Sequence, residues 1–143
     1  MEIEIETNPT QWDHKLLAQL FGRSGWGREE DYQDEKGHLL LEASDNIIVA
    51  VALSEDRSQL LGYIRAFTDH VSVTWIAELL VDPDFRMRGI GTRLMSKVVE
   101  STRHTALYAG TFTGTEGFFE KFSLTQKPKL IAVSRKPLQS DAD

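Results

Sequence analysis

The chain contains no cysteine. Disulfide staples and thiolate metal sites are therefore excluded, and a reducing compartment is the expected setting. Long apolar runs are also missing. The longest unbroken one, Ile47 to Leu53, is far shorter than the ~20 residues of a membrane-crossing helix. The N-terminal MEIEIET is acidic where a secretion signal is basic, so a cytoplasmic protein is expected, with no membrane partner. No basic stripe is present, which argues against a nucleic-acid partner. The histidines, His14, His38, His70 and His104, are scattered without ligand spacing, so no metal is expected.

What is present fits one ordinary globular domain. The chain has 143 residues, 41% hydrophobic and 27% charged, enough for a single core. Its net charge of -6 is unevenly spread. Residues 1–60 carry 13 acids and 5 bases, a balance of -8, and the remainder carries 9 acids and 11 bases, a balance of +2. The first part suits a cationic partner and the second tolerates an anionic one.

Periodicity gives an element order of β-α-α-β-β-β-α-β-α-β. EIEIE alternates as a first strand, Glu2 to Thr7. In the NPTQ that follows, Asn8 reads as a cap, Pro9 as the first helical residue and Gln11 as its capping-box partner. Trp12, Leu16, Leu17, Leu20 and Phe21 share one face of that helix. REEDYQDEKGHLLLEAS reads as a second, acidic helical segment, which Gly37 weakens. Ile47 to Leu53, Gln59 to Thr68 and Ser72 to Val81 read as three strands joined by tight turns. A helix from Gly89 to about Thr102 turns Ile90, Leu94, Met95 and Val98 to the core. ALYAGTF is a strand, TEGFFEKF a short helix anchored by Phe118, Phe119 and Phe122, and PKLIAVSR a last strand. Residues from about 136 form a frayed tail. The fold expected is α+β, a mixed sheet with helices on its faces.

The most informative stretch is LLVDPDFRMRGIGTRLM, Leu79 to Met95. The first turn of a helix leaves N–H groups unpaired at the positive end of its dipole. Phosphate fills such a site. Gly89 and Gly91 allow close approach, and Arg86 and Arg88 add guanidinium charge. The G-x-G-x-x-G fingerprint is absent, and no Gly-Lys-Ser/Thr follows, so neither a dinucleotide turn nor a Walker loop is indicated. A tight turn with solubilising arginines is the plainer reading of the same residues.

RMRGIG, Arg86 to Gly91, fits the [Q/R]-x-x-G-x-[G/A] signature of the GNAT superfamily of N-acetyltransferases. LLVDPDFR resembles the strand and Pro-containing turn before that signature. EGFFEKFSL resembles the later family helix written F-Y-x-K-x-G-F, and GYIRAFTD the strand before the motif. GRSGW is similar to the segment after the first helix in one subgroup. The resemblance spans nearly the whole chain. It implies a mostly antiparallel, twisted GNAT-like sheet with helices on both faces, and acetyl-CoA as co-substrate. By resemblance, the N–H groups from Met87 or Arg88 through Gly89, Ile90, Gly91 and Thr92 hold the pyrophosphate, with Arg86 among the cofactor-binding residues. Leu79, Leu80 and Val81 match the strand that pairs with the pantetheine arm, where it splays from its parallel neighbour near Leu107.

The reaction this implies is attack of an amine on the thioester. An alkylammonium of pKa ~10.4 is neutral in only about one part in a few thousand at pH 7, so a base is useful. Glu78 is the candidate, an acid inside the apolar WIAELLV; its alternative is a salt-bridged or edge-facing glutamate. The family's frequent tyrosine that protonates the departing thiolate is replaced by Phe119, which can still pack on the pantetheine arm. Tyr108 is a substitute; its alternative is a tyrosine packed in the sheet. TFTGT replaces a frequent asparagine. Asp69 reads as a turn residue and His70 as a turn histidine whose alternative is a place at a substrate mouth, while Trp26, Tyr32 and Trp75 are aromatics able to line an acceptor pocket, with core packing the commoner place for each.

The expectation is an acetyl-CoA-dependent transferase acting on a small cationic amine, in the manner of a subgroup that includes arylalkylamine acetyltransferases. A peptide amine stays open as acceptor, and a homodimer is common in the family. The alternatives are a non-catalytic acyl-CoA-binding sensor, motivated by Phe119, and an unrelated phosphate-binding domain.

Overall fold

β-branched and alternating stretches build the sheet. The computed structural model describes residues 2–9, 14–111 and 115–138. The strands are β1 (Glu4–Thr7), β2 (Ile47–Leu53), β3 (Leu60–Thr68), β4 (Val73–Val81) and β5 (Ala106–Ala109). They lie in the order β1-β2-β3-β4-β5. The first four run antiparallel; short turns join β2, β3 and β4, whereas residues 8–46 with their helices lie between β1 and β2. β5 pairs parallel to β4, because helix α3 (Ile90–Ser101) carries the chain back across the sheet first.

Alternation along the strands sends successive side chains to opposite faces. Val51 of β2, Tyr63 of β3 and Leu80 of β4 are register partners on one face. There they join Leu17, Leu20 and Phe21 of α1 (His14–Arg23) and Leu40 of α2 (Glu35–Leu40) in one buried cluster. Full burial of each such side chain contributes about 1.5–3 kcal/mol. α3 covers the opposite face with Ile90, Leu94, Met95 and Val98. Gly62 makes room for it: a Cβ there would lie 2.8 Å from Ile90 Cγ2 and 2.9 Å from Leu94 Cδ1. The architecture is the expected α+β, mixed but mostly antiparallel, with helices on both faces. No helix among the described residues is long and apolar enough to cross a membrane.

The chain divides into two compact units, Met1–Ala109 and Gly110–Asp143. The first holds the sheet with α1, α2 and α3. The second holds α4 (Glu116–Glu120), a single turn and a half in which Phe118 and Phe119 meet edge to face at 5.1 Å.

Three expectations change. The acidic segment is not one helix. It forms a 3-10 turn, Glu29–Tyr32, and then α2, because Asp34 restarts the chain by accepting the Lys36 N–H at 3.1 Å. Gly37 belongs to α2 for a steric reason: a Cβ there would sit 1.9 Å from the Tyr32 carbonyl oxygen. PKLIAVSR forms no strand; Leu130, Ile131 and Val133 are exposed. β-propensity expresses itself only against a partner strand, and none among the described residues is hydrogen-bonded to this segment. Asn8 has a left-handed φ of 52° and gives its N–H to Val49 O at 2.7 Å, so it prolongs the sheet edge. Gln11 and Trp12 of the first-helix reading lie outside the described residues, as do Phe112 to Gly114 and the tail from 139.

Candidate functional site

The end of β4 is anchored by Asp82, whose N–H reaches Leu61 O at 2.8 Å. Hydrogen-bonded and non-bonded pairs alternate in an antiparallel ladder. Tyr63↔Leu80 and Arg65↔Glu78 therefore fall in the bonded class with Leu61, and Gly62↔Val81 and Ile64↔Leu79 in the other. The N–H and C=O groups of Leu79 and Val81 thus point away from β3, while those of Leu80 are turned to it. Leu80 is buried in the core.

On that far side β4 loses its neighbour. The parallel pairing with β5 runs from Val73↔Ala106 to Ile76↔Ala109 and stops there. β4 continues for five residues, Ala77 to Val81, paired only to β3. The register also slips at this point. Arg65 faces Glu78 but Ala66 faces Ile76, which leaves Ala77 as the extra residue of a β-bulge. The result is a short open edge bearing the main-chain groups of Leu79 and Val81.

The chain leaves this edge through a turn that Asp82 organises. Its side chain accepts the Asp84 N–H at 2.9 Å and pairs with Arg23 Nε at 2.8 Å, while Arg23 Nη2 donates to Leu60 O at 2.9 Å. Asp82 is buried, so this pairing satisfies a carboxylate that would otherwise be costly. α1 thereby fixes where the following loop begins.

That loop, Arg86 to Gly89, is exposed throughout. Met87 and Gly89 both take left-handed backbone, with φ of 66° and 80°. Alternating left-handed residues turn successive N–H groups inward as an anion-binding concavity. Gly89 caps α3 with no side-chain hydrogen bond. The first bond of the helix is Arg93 N–H to Gly89 O at 3.0 Å, so the N–H groups of Ile90, Gly91 and Thr92 precede it. Ile90 is buried and pins the helix start. The Arg88 guanidinium lies 4.9 Å from the Phe85 ring centre.

Glu78 is held in an ion pair. Arg65 Nε donates to its Oε2 at 2.7 Å and Arg65 Nη2 to its Oε1 at 2.5 Å, with both side chains mostly shielded. The hydrogen bond to Glu78 raises the Arg65 guanidinium above its ordinary pKa. Burial, and then the charge of Glu78, hold the Tyr63 phenol far above the usual range. Tyr63 donates to Leu40 O at 2.5 Å and remains a core residue.

Of the aromatics, Tyr32 stacks on Phe21 at 4.2 Å and Trp26 meets the same ring edge-on at 6.2 Å, so both pack against the core. Trp75 stays 45% exposed and stacks with Tyr108, ring centres 6.5 Å apart. Trp75, Glu78, Arg65 and Tyr108 all project from the sheet face that bears α1 and α2, by their register. His70 and Asp69 are turn residues: His70 has φ 58° and bonds Asp45 O, while Asp69 Oδ1 accepts the N–H groups of Val71, Ser72 and Val73 at 2.7–2.9 Å. Phe119 is half-buried in α4. A cleft of about 650 Å³ beside α1, lined by Arg23, Arg28 and Glu30 among others, includes none of the residues expected in the site.

Arg65, Arg23 and the bulge at Ala77 were not singled out from the sequence. Alternation gives no sign of a bulge, and an arginine's partner is invisible until strands are in register. Met87 was anticipated as a backbone ligand, but its left-handed conformation carries no sequence signal.

An α+β domain in which β4 runs on beyond the end of β5, beside an uncapped, glycine-led helix, has the backbone groups to hold an extended ligand ending in phosphate. The Acetyltransferase (GNAT) family model matches residues 6–123, and the chain belongs to that family. Among solved structures, it is similar to a GNAT family acetyltransferase from Streptococcus pneumoniae, at 20% identity and TM-score 0.69, covering 94% of this chain and 100% of that one. It is also similar to the aminoglycoside N-acetyltransferase AAC(6')-Iy, solved with a bisubstrate analogue of CoA, at 16% identity and TM-score 0.72, covering 96% and 100%. Glucosamine-6-phosphate N-acetyltransferase from Arabidopsis thaliana shares 12% identity and TM-score 0.71, covering 95% and 99%.

Proposed function

We propose that this chain transfers an acetyl group from acetyl-CoA to the primary amine of a small cationic acceptor. The observation that carries the reading is the adjacency of two unsatisfied backbone sets, the open edge of β4 and the uncapped start of α3. Leu79 and Val81 would bind the amides of the pantetheine arm as an added strand does. The loop Arg86–Gly89 and the N–H groups of Ile90, Gly91 and Thr92 would receive the pyrophosphate, with Arg86 and Arg88 adding charge. Bound acetyl-CoA supplies the acetyl group as a thioester open to attack by nitrogen. The Leu79 N–H, which points away from β3, would donate toward the carbonyl oxygen as charge develops on it.

The acceptor nitrogen forms the new C–N bond as the C–S bond breaks. One proton must leave the ammonium before attack and one the amide-forming nitrogen, while the thiolate gains one. Glu78 takes the acceptor's proton, directly or through water. The Tyr108 phenol, on the same face, is the proposed donor to the thiolate. That help need only be modest, since a thiol of pKa ~8.5 leaves readily.

A second reading is a non-catalytic acyl-CoA-binding module. Phe119 in place of the family tyrosine favours it, as does the tight hold of Arg65 on Glu78. One experiment separates the two: thiol release from acetyl-CoA across a panel of amines, beside a thermal-shift titration with CoA. Turnover with any amine supports the transferase. Stabilisation without turnover favours the binding module, and no stabilisation by CoA sinks both.

A further inference from the structure

Sulfur is scarce in this chain and unevenly placed. Cysteine is absent, and the methionines are Met1, Met87 and Met95. Met1 lies outside the described residues. Met95 is fully buried on the core face of α3, whereas Met87 is fully exposed in the loop just before that helix. Full exposure removes packing within the fold as the reason for a methionine there. The backbone argues against one as well. Its φ of 66° is a left-handed conformation that glycine adopts freely and other residues adopt at a cost. What remains particular to methionine at this position is the chemistry of its sulfur.

We propose that Met87 is an oxidation site, where a peroxide converts the thioether to a sulfoxide and so weakens the hold of the loop on acetyl-CoA. The ligand in this inference rests on the transferase reading above. In the step, a sulfur lone pair attacks one peroxide oxygen, and the S–O bond forms as the O–O bond breaks. The departing hydroxide takes the proton of the transferred oxygen and leaves as water. Sulfur is oxidised by two electrons and the peroxide is reduced by two. No thiol in the chain competes for the oxidant.

The consequence follows from where the new oxygen lands. A thioether is a weak acceptor, whereas a sulfoxide is polar. The left-handed residues Met87 and Gly89 turn the loop's N–H groups inward, and Arg86 and Arg88 flank Met87 in the chain. The methionine side chain is unbranched and flexible, so its sulfoxide oxygen can fold onto those same donors. There it occupies a donor that phosphate requires and turns the negative end of a dipole toward an anion. An apolar contact between the thioether and bound acetyl-CoA is the rival role for Met87. Met87→Leu keeps that contact and removes the sulfur.

The test treats the full chain with hydrogen peroxide, removes the excess with catalase and titrates acetyl-CoA by calorimetry. Mass spectrometry of proteolytic fragments places the added oxygen. It should appear on Met87 well before Met95. The Kd for acetyl-CoA should then rise about tenfold, as expected for one charge-assisted hydrogen bond lost. Methionine sulfoxide reductases for both epimers should restore the starting Kd. Met87→Leu should bind as the untreated wild type does and keep its Kd through the peroxide treatment. Oxidation of Met95 at the same rate, an unchanged Kd with Met87 oxidised, or an equal loss in treated Met87→Leu overturns the inference and leaves acetyl-CoA binding standing. If the untreated wild type does not bind acetyl-CoA, the reading of the loop itself fails, and the inference falls with it.

Discussion

Arg65 and Glu78 stand directly opposite each other on β3 and β4, joined by two parallel hydrogen bonds of 2.7 and 2.5 Å. The pair is the side-chain partner of the β4 bulge, since the register slips immediately beyond it. Removing the guanidinium would leave a shielded carboxylate without its cation. Arg65→Met is therefore expected to cost roughly 1–3 kcal/mol of stability, which urea denaturation measures. Glu78→Gln should lower kcat about 100-fold. Its remaining rate should climb with pH as more of the ammonium, pKa ~10.4, becomes free amine. Steady-state rates from pH 6 to 10 decide both, and an unchanged profile in Glu78→Gln removes Glu78 from proton transfer.

The loop before α3 should bind its anion through backbone geometry first and charge second. Gly89 is left-handed, a conformation that costs an L-residue about 1–2 kcal/mol. Gly89→Ala is expected to raise the KM for acetyl-CoA about tenfold with little change in kcat. Replacing Arg86 and Arg88 together by Gln should also weaken CoA binding, and more at low than at high salt, because exposed charges are screened. Calorimetric titration with CoA at two ionic strengths separates the contributions. Equal losses at both would mean that the arginines act through contact alone.

Much of this was legible in the sequence for identifiable reasons. Apolar strands and an amphipathic α3 are local patterns, and the boundaries of β1 to β4 and α3 came out within two residues, whereas ALYAGTF stops being a strand at Ala109. The glycine-led helix start was legible because Gly89, Gly91 and two arginines cluster within six positions. What stayed hidden depends on residues brought together from afar. Arg23 meets Asp82, Arg65 meets Glu78, and Phe67, Trp75 and Tyr108 align only once three strands are in register. PKLIAVSR misled because a strand-like composition does not supply the partner that makes a strand.

Gly37 offers a test in which two effects have opposite sign. On helix propensity alone, alanine in the middle of α2 should stabilise by about 1 kcal/mol. The Tyr32 carbonyl oxygen, however, would lie 1.9 Å from the new Cβ, and backbone cannot yield as a side-chain tip can. Steric conflict of this kind exceeds the propensity gain, so Gly37→Ala should destabilise by about 3 kcal/mol or more. Urea denaturation measures it. A stabilised variant would show that α2 can draw away from the 3-10 turn at little cost.

Asp69 holds the β3–β4 turn, and the N–H groups of Val73, Ser72 and Val71, with the Ser72 hydroxyl, keep its carboxyl well below the usual carboxylate range. Its folded pKa is depressed, so the unfolded chain takes up its proton first as pH falls. The contribution is therefore complete above the unfolded value of ~3.9 and is lost as pH drops toward the folded one. Asp69→Asn should lower Tm at pH 7, and the gap to the wild type should shrink progressively below pH 4. Melting curves at pH 7, 4 and 2.5 check this, and a gap constant across them would mean that the turn does not depend on the ionised carboxylate.

Tyr108 serves two proposed purposes that one substitution can separate. Its ring stacks on Trp75, and its hydroxyl is the proposed proton source for the thiolate. Tyr108→Phe keeps the ring and deletes only the hydroxyl. General-acid help is worth about 10²–10⁴ where the leaving group is poor. A thiolate needs less, so a loss nearer tenfold in kcat is expected, with the amine KM unchanged because the stacked ring is kept. Tyr108→Ser deletes both and should add a loss of stability, seen as a lower Tm, to the same fall in kcat. If Tyr108→Phe turns over at the wild-type rate, water protonates the thiolate and Tyr108 serves packing alone. In that case the absence of a tyrosine at Phe119 costs this chain little, because the leaving group does not require one.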